Sequence, residues 1–182
     1  GIELNEFNFI KTCEYMRVLP CTTDIVAVGD CAEKRDFITR KLDQTMLAST
    51  ACAEARTAGM NLYHLSPCKP FTGTIAIYAT AIGEHAFGTA GITEFKAKQE
   101  NFSVVSGSFT GVDTHPGNLS HTHKQMVKLI VASDCGMILG GEVYGGYSTG
   151  ELTNAIGFLI QNRVTTKALL TMQIGTHPLL TG

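Results

Sequence analysis

Four runs in the second half of the chain combine β-branched or aromatic residues, with turn-forming residues between the runs. They cover residues 73–81, 102–111, 125–132 and 137–144. Runs of this length and composition are typical of β-strands, and the glycines and polar residues between them suit the short connections of an antiparallel sheet. The pattern therefore predicts that the second half of the chain is built around an antiparallel sheet.

Helical patterns alternate with these runs, at residues 93–100, 148–162 and 165–172. The longest helix is predicted to begin with a capping box, because Glu151 follows Ser148 at the required spacing. Its apolar residues form one stripe at helical spacing, and Thr153 and Asn154 are predicted to lie off that stripe. The stripe contains Leu152, Ala155, Ile156, Leu159 and Ile160. It is either a core face or a subunit interface, and helices that alternate with strands predict an α+β domain.

The first third of the chain predicts two strands and one helix. Residues 9–12 are consistent with a short strand. The apolar, β-branched run at 24–28 is followed by Gly29 and Asp30, as a buried strand that ends in a turn would be. Residues 44–62 are rich in Ala and contain no Pro, which predicts a helix whose small side chains allow close packing.

A segment with two prolines, at positions 67 and 70, predicts a domain boundary. Proline fixes its own φ and biases the preceding residue away from helix. We therefore divide the chain into residues 1–65 and residues 66–182. The chain begins with Gly1 and not with Met, which suggests a processed product or a part of a longer chain.

Composition and charge exclude several classes of partner. Of the 182 residues, 44% are apolar and 16% are charged, and the formal net charge is -2, so there is no basic excess for a nucleic-acid backbone. The longest apolar stretches are too short to cross a bilayer or are interrupted by charges, so no membrane span is expected. Six cysteines at irregular spacings, without a C-x-x-C pair, favour free thiols in a reducing cytoplasm.

Two segments have residue patterns that are similar to those of ligand-binding or metal-binding sites. Residues 141–148 have the outer spacing of a phosphate-binding loop, but Tyr147 occupies the position of the required Lys, and no G-x-G-x-x-G fingerprint follows a strand. A second cluster contains imidazoles and one carboxylate, which are suitable ligands for a first-row metal. Its members are Asp113, His115, His121 and His123. A polar loop is the favoured interpretation of this cluster, so no residue is assigned to a metal, and a metal-binding module is the last-ranked alternative.

His177 is the candidate catalytic residue. It precedes Pro178, and a conformationally fixed neighbour is one way to hold an imidazole still for proton transfer. No carboxylate follows it in the sequence, so a histidine without a catalytic role is the alternative.

Several segments resemble one family of flavoenzymes. Residues 25–33, with the sequence IVAVGDCAE, and residues 46–56, with the sequence MLASTACAEAR, resemble the second flavin-binding segment of the FAD-dependent pyridine nucleotide-disulfide oxidoreductases. Four further segments resemble the C-terminal dimerisation domain of the same family. They are residues 69–71, 123–125, 139–141 and 173–178. The resemblance covers essentially the whole chain, and it points to the branch of NADH oxidases, NADH peroxidases and coenzyme A disulfide reductases, with the archaeal NADH oxidases most similar.

The resemblance implies a set of flavin contacts. It implies that the Asp30 carboxylate binds a ribityl hydroxyl of FAD. It also implies that Leu47, Ala48 and Ser49 lie where a helix N-terminus directs its backbone amides at the pyrimidine edge of the flavin. The implied fold is a dimerisation domain in residues 66–182, preceded in residues 1–65 by a strand and helix that remain from the FAD-binding domain.

The resemblance also implies parts that this sequence does not contain. Family members carry a Gly-rich FAD motif, a redox-active Cys and an NADH domain upstream of the matching region. We therefore expect a C-terminal fragment that forms a homodimer through residues 66–182, contacts the upstream FAD and NADH domains of its parent chain, and has no turnover alone. The parent would pass electrons from NADH through FAD to oxygen, peroxide or a sulfur substrate. The alternative is a self-standing interaction module without catalysis.

Overall fold

The computed structural model describes residues 1–20, 24–63 and 70–180, and it divides the chain into two units, Gly1–Ile75 and Ala76–Gly182. The boundary predicted from the prolines involves residues 66–69, which lie outside the described ranges, and it stays a prediction. A five-stranded antiparallel sheet accompanied by helices confirms the predicted α+β class.

The first unit contains one long helix beside short backbone pairings. Its elements are the 3-10 turn Gly29–Cys31, strand β1 (Lys34–Arg35), strand β2 (Leu42–Asp43) and helix α1 (Ala48–Met60). Strands β1 and β2 pair in antiparallel orientation. Helix α1 confirms the helix predicted within residues 44–62, and it begins at Ala48 because Leu47 has an extended backbone.

The two strands predicted in this unit, at residues 9–12 and 24–28, are wrong. Backbone pairing there is limited to isolated bridges, which include Thr12 with Val18 and Arg17 with Val26. The chain reverses between Cys13 and Met16, where the Met16 N–H donates to the Cys13 carbonyl at 2.9 Å. The segments on either side of this tight turn therefore pair through single bridges and not through a continuous strand ladder. The predicted apolar run still reaches the core, where its Ala27 is buried.

The second unit is built on one antiparallel sheet. Its strands are β3 (Ile77–Ile82), β4 (His85–Gly91), β5 (Val104–Val112), β6 (Lys124–Ala132) and β7 (Ile138–Gly145). Their order is β3-β4-β7-β6-β5, and every neighbouring pair is antiparallel. The four predicted runs correspond to β3, β5, β6 and β7. Strand β4 was not predicted, because its sequence HAFGTAG is dominated by small residues and has few of the residues that favour strands.

Three helices accompany the sheet. They are α2 (Glu94–Gln99), α3 (Thr149–Gln161) and α4 (Thr166–Leu169). The helices predicted at residues 93–100 and 148–162 are confirmed, whereas α4 is shorter than the predicted 165–172. In the part of the chain that the structure describes, no helix is long and apolar enough to span a membrane.

The buried face of α3 differs from the predicted stripe. Ile156 and Ile160 are buried as predicted, but Ala155 is exposed and Thr153 is buried. The Thr153 hydroxyl donates to the Thr149 carbonyl at 2.7 Å, so its burial leaves no unpaired donor. Helix α3 packs on β3, β4 and β7. Helix α3 crosses β4 at Gly88, which has no side chain. The small side chain of Thr153 fits against this backbone better than a larger side chain would.

The capping box predicted at Ser148 is also wrong. Ser148 has a helical backbone, with φ -71° and ψ -11°, and its side chain makes no capping hydrogen bond. An N-cap side chain normally needs an extended backbone to direct its oxygen at the first free N–H groups. The Ser148 hydroxyl instead accepts a hydrogen bond from Gln125 Nε2 at 2.9 Å, which ties the start of α3 to β6.

A charged group links α2 to the sheet. The Lys128 ammonium lies 2.7 Å from Glu94 Oε2 and 3.3 Å from Glu142 Oε2. Hydrogen bonds from Lys128 and Ser106 hold the pKa of Glu94 below its ordinary value. The hydrogen bond to Glu94 raises the pKa of Lys128. Both groups therefore stay charged at neutral pH.

The contact between Gly88 and Thr153 generates a test. A Cβ at Gly88 would lie 1.9 Å from Thr153 Oγ1, so Gly88→Ala forces the helix or the strand to move. We expect a loss of unfolding free energy of about 1–3 kcal/mol, typical of an overpacked core, measured by urea unfolding followed by circular dichroism. A second change, Thr153→Ala, should recover part of that loss.

The matched control is Gly107→Ala in β5, where a Cβ meets no atom within 4 Å. This control should change the unfolding free energy by no more than about 0.5 kcal/mol. Equal stability of the Gly88→Ala and Gly107→Ala variants would contradict the proposed close contact.

Candidate functional site

The 3-10 turn of the first unit presents Asp30 to solvent. Gly29 opens the turn with a φ of +74°, a left-handed conformation that glycine adopts without strain. Asp30 follows in the middle of the turn and is exposed. The turn lies close against α1, because a Cβ at Gly29 would be only 3.6 Å from the Cβ of Ala51. The small side chain of Ala51 therefore allows the turn to approach the helix.

A buried ion pair lies beneath this turn. Lys34 in β1 is 2% exposed and Glu54 in α1 is 0% exposed. The Lys34 ammonium lies 2.9 Å from one oxygen of the Glu54 carboxylate and 3.0 Å from the other. A buried charge is costly unless it is paired and hydrogen-bonded, and here each charge is the partner of the other.

Both members of the pair also bind the backbone of the turn. Glu54 Oε2 accepts a hydrogen bond from the Gly29 N–H at 2.7 Å. The Lys34 ammonium donates to the carbonyl of Gly29 and, at 3.1 Å, to the carbonyl of Ala32. An ammonium has three donors, so the carboxylate and two carbonyls use all of them. The N–H and the C=O of Gly29 are thus both fixed from the interior.

The N-terminus of α1 is the second part of the site. Leu47 is the N-cap residue and makes no side-chain capping bond, and the first turn contains no acidic residue. Ala48 and Ser49 are exposed, and Leu47 is partly buried. The first N–H groups of a helix have no partner within the helix, and they carry a partial positive charge. This end of α1 therefore suits the electron-rich oxygens of a ligand.

Asp30 and the residues Leu47, Ala48 and Ser49 lie on two elements that pack against each other. The donor set matches what the resemblance implies for FAD: a carboxylate for a hydroxyl group, and backbone amides beside small side chains for the edge of a ring. The residues present therefore fit that cofactor. Their individual roles stay predictions.

His177, the candidate catalytic residue, lies in the second unit near the end of the described chain. It is exposed, and its Nδ1 accepts a hydrogen bond from the Leu179 N–H at 3.2 Å. The next residue, Pro178, accepts a hydrogen bond from the His115 N–H at 3.0 Å. A short turn and a hydrogen bond to a neighbouring loop contribute to holding the segment that carries the imidazole.

The histidine cluster is only partly brought together. His123 Nδ1 lies 3.0 Å from Asp113 Oδ2, and the His123 N–H donates to Asp113 Oδ1 at 2.7 Å. Within residues 1–20, 24–63 and 70–180, no group of three or more His, Cys, Asp or Glu side chains has the geometry to hold a metal ion. His115 and His121 therefore do not complete a site with this pair.

Sequence reasoning missed Lys34 and Glu54, although they position the turn that it identified. Charged residues are usually exposed, and the sequence analysis singled out neither of these two. One signal was available for Glu54. It lies four positions after Thr50 and four before Ala58, and these three are the buried residues of α1. A glutamate on the inner face of a helix of small residues indicates a buried cation nearby.

Comparisons with known proteins agree with this fold. The model of the pyridine nucleotide-disulphide oxidoreductase dimerisation domain matches residues 77–182. An NADH oxidase of Methanocaldococcus jannaschii is 26% identical over 158 residues, which are 85% of this chain and 34% of that protein. This chain therefore spans about one third of that relative's length.

Solved structures of similar fold cover nearly the whole chain. The NAD-dependent persulfide reductase from A. fulgidus superposes with a TM-score of 0.86 at 22% identity, over 99% of this chain and 32% of that one. The water-forming NADH oxidase from Lactobacillus brevis gives a TM-score of 0.86 at 24% identity, over 99% of this chain and 39% of that one. Identities at this level establish the fold. The match to the family model extends over more than half of the sequence, and the chain belongs to the pyridine nucleotide-disulphide oxidoreductase family, whose dimerisation domain it contains.

Proposed function

We propose that this chain is the C-terminal part of an FAD-dependent, NADH oxidase-like oxidoreductase, in which it provides the last flavin contacts and the dimerisation domain. The observation that carries the proposal is the Asp30 turn, which is held beside α1 by the hydrogen bond from the Gly29 N–H to Glu54 and by the buried pair of Glu54 with Lys34. The similarity to an archaeal NADH oxidase over 85% of the chain supports it. Because such enzymes use NADH, we place the protein in the cytoplasm.

In this proposal FAD supplies the redox chemistry, by accepting a hydride from NADH and passing electrons on to oxygen, peroxide or a sulfur substrate. The chain binds and orients the cofactor. The Asp30 carboxylate accepts a hydrogen bond from a ribityl hydroxyl. The amides at the start of α1 donate to the pyrimidine edge, where the helix dipole favours negative charge. Ala48 lets the backbone approach the ring because its side chain is small.

His177 is proposed as a group that exchanges protons in the same reaction. Its Nδ1 accepts the Leu179 N–H, so the proton of the neutral imidazole resides on Nε2. The His177 side chain is exposed. The redox-active Cys and the NADH domain are expected from upstream parts of the parent chain, and we propose that this chain has no turnover by itself.

The second unit is proposed to pair two copies of the chain. On the sheet face that is turned away from α3, apolar side chains at the β3–β4 edge are unusually exposed: Tyr78 by 55%, Ile82 by 68% and Phe87 by 42%. Tyr144 of β7 lies beside them, with its ring centroid 5.3 Å from that of Phe87. Exposed apolar surface of this kind is typical of association sites. The same surface favours the alternative of a non-catalytic interaction module.

The flavin assignment is tested by Asp30→Asn in the natural polypeptide that carries this chain. The amide is a weaker acceptor than the carboxylate, and a hydrogen bond to a charged group contributes about 1.5–3 kcal/mol, so the FAD dissociation constant should rise at least tenfold. The measurement is a titration of the apoprotein with FAD, followed by flavin fluorescence.

The matched control is Asp24→Asn, because Asp24 is an exposed aspartate of the same unit outside the turn. It should bind FAD like the wild type. If Asp30→Asn also binds like the wild type, the proposed role of Asp30 is refuted. A wild-type polypeptide that binds no FAD would instead favour the interaction module.

The pairing assignment is tested by sedimentation equilibrium. We expect the mass of a dimer for the wild type, and a shift toward monomer for Ile82→Lys, because a buried lysine without a partner is costly. Met60→Lys, at an exposed apolar position in α1, is the matched control and should leave the mass unchanged. A wild-type chain that is monomeric at every accessible concentration would contradict dimer formation.

A further inference from the structure

We infer that Lys34 and Glu54 are positioning residues for flavin, and that their ion pair sets FAD affinity by fixing the peptide that carries Asp30. The inference rests on the proposed function, and it assigns a role to two residues that make no contact with the cofactor in that proposal. Lys34 and Glu54 act on the site only through the turn and the helix.

The geometry of Gly29 supports this role. The N–H of Gly29 donates to Glu54 at 2.7 Å, and the C=O of Gly29 accepts from Lys34. That carbonyl belongs to the peptide plane shared with Asp30, so its orientation determines where the Asp30 backbone begins. A third bond, from Lys34 to the Ala32 carbonyl, holds the other end of the turn. Asp30 is therefore an exposed residue on a turn whose two ends form hydrogen bonds with buried side chains.

The pair also fixes the distance between the two halves of the proposed flavin site. Glu54 belongs to α1, whose N-terminus provides the amides for the ring, and Lys34 belongs to β1, directly after the turn. The contact between the two residues connects the turn to the helix. If the contact is lost, the turn keeps its own hydrogen bond from the Ala32 N–H to the Gly29 carbonyl but loses the ammonium that links it to Glu54, so we expect Asp30 to be held less firmly relative to α1.

Stability alone is a weak reason for such a pair. Both charges lose their hydration when they are buried, and well-packed apolar side chains of similar size are often as stabilising or more so. Apolar side chains cannot, however, direct a donor and an acceptor at the two polar groups of Gly29. The specific contribution of the pair is therefore the orientation of the turn.

The experiment separates orientation from stability, using the natural polypeptide that carries this chain. The single variant Lys34→Met leaves Glu54 as a buried charge without its partner and should lower both the melting temperature and the FAD affinity. The double variant Lys34→Met with Glu54→Leu removes both charges. We expect it to recover the melting temperature of the apoprotein, while its FAD dissociation constant stays at least tenfold above that of the wild type.

A second readout is the visible absorption of bound flavin, which should shift in the double variant because the ring meets the helix in a changed geometry. Lys96→Met is the matched control, since it breaks the ion pair of the exposed Lys96 with Glu100, 3.1 Å apart in the second unit and outside the proposed flavin site. It should change neither the affinity nor the spectrum. If the double variant does not fold, Glu54→Gln, which keeps an acceptor for Gly29 but no charge for Lys34, is measured in the same way and should also weaken FAD binding.

The inference is overturned if the double variant, or Glu54→Gln where that replaces it, binds FAD with wild-type affinity and an unchanged spectrum. The pair would then have a structural role only. Failure of the proposed function is distinguishable from this result. In that case the wild-type polypeptide itself would not bind FAD, whereas failure of the inference alone leaves a wild type that binds and variants that bind equally well.

Discussion

A lysine ammonium and a glutamate carboxylate, both removed from solvent, hold the functional part of the first unit together. Lys34 and Glu54 bind each other and also bind both polar groups of Gly29. The interaction cannot be weakened at one point only, because loss of either side chain leaves a buried charge and at least one unpaired backbone group. The turn, β1 and α1 are therefore connected by a group of polar contacts around Gly29, and buried side chains help to hold the exposed Asp30 in position.

The second unit depends on a different constraint, which is the short distance between helix α3 and strand β4 of the sheet. Helix α3 approaches β4 where Gly88 leaves room, and Thr153 fills that room with its hydroxyl already bonded to its own helix. Close packing of this kind makes a core sensitive to single atoms. On the opposite face of the sheet, at the β3–β4 edge, Ile82 is exposed. One face of the sheet thus packs on α3, and the other presents the apolar surface that is proposed for association.

The sequence predicted the elements whose signal lies in side-chain type and spacing. Strands β5, β6 and β7 and the long helices have such a signal, and so does the Gly29–Asp30 pair ahead of an Ala-rich helix. Strand β4 has none, because small residues form a strand only when neighbouring strands and a helix favour it. Packing against the sheet also explains why Thr153 is buried and Ala155 is exposed on α3, which is the reverse of the prediction. Lys34 and Glu54 were missed because burial of a charge depends on a partner distant in sequence, which hydrophobic periodicity does not report.

These differences bear on how a chain without a nucleotide fingerprint could contribute to the proposed flavin site. A cofactor brings its own reactivity, and the protein contributes binding, orientation and electrostatics. In the proposed site those contributions come from one carboxylate and from backbone amides. Nearly all residue types have a backbone amide, so no particular residue type marks such a contact in the sequence. What the sequence must specify is the geometry of that backbone. It does so with a glycine at positive φ, an alanine under it, and a buried ion pair that accepts one N–H and donates to two carbonyls. In that proposal the residues that position the flavin include those that shape the backbone, and Lys34 and Glu54 do so without touching the cofactor.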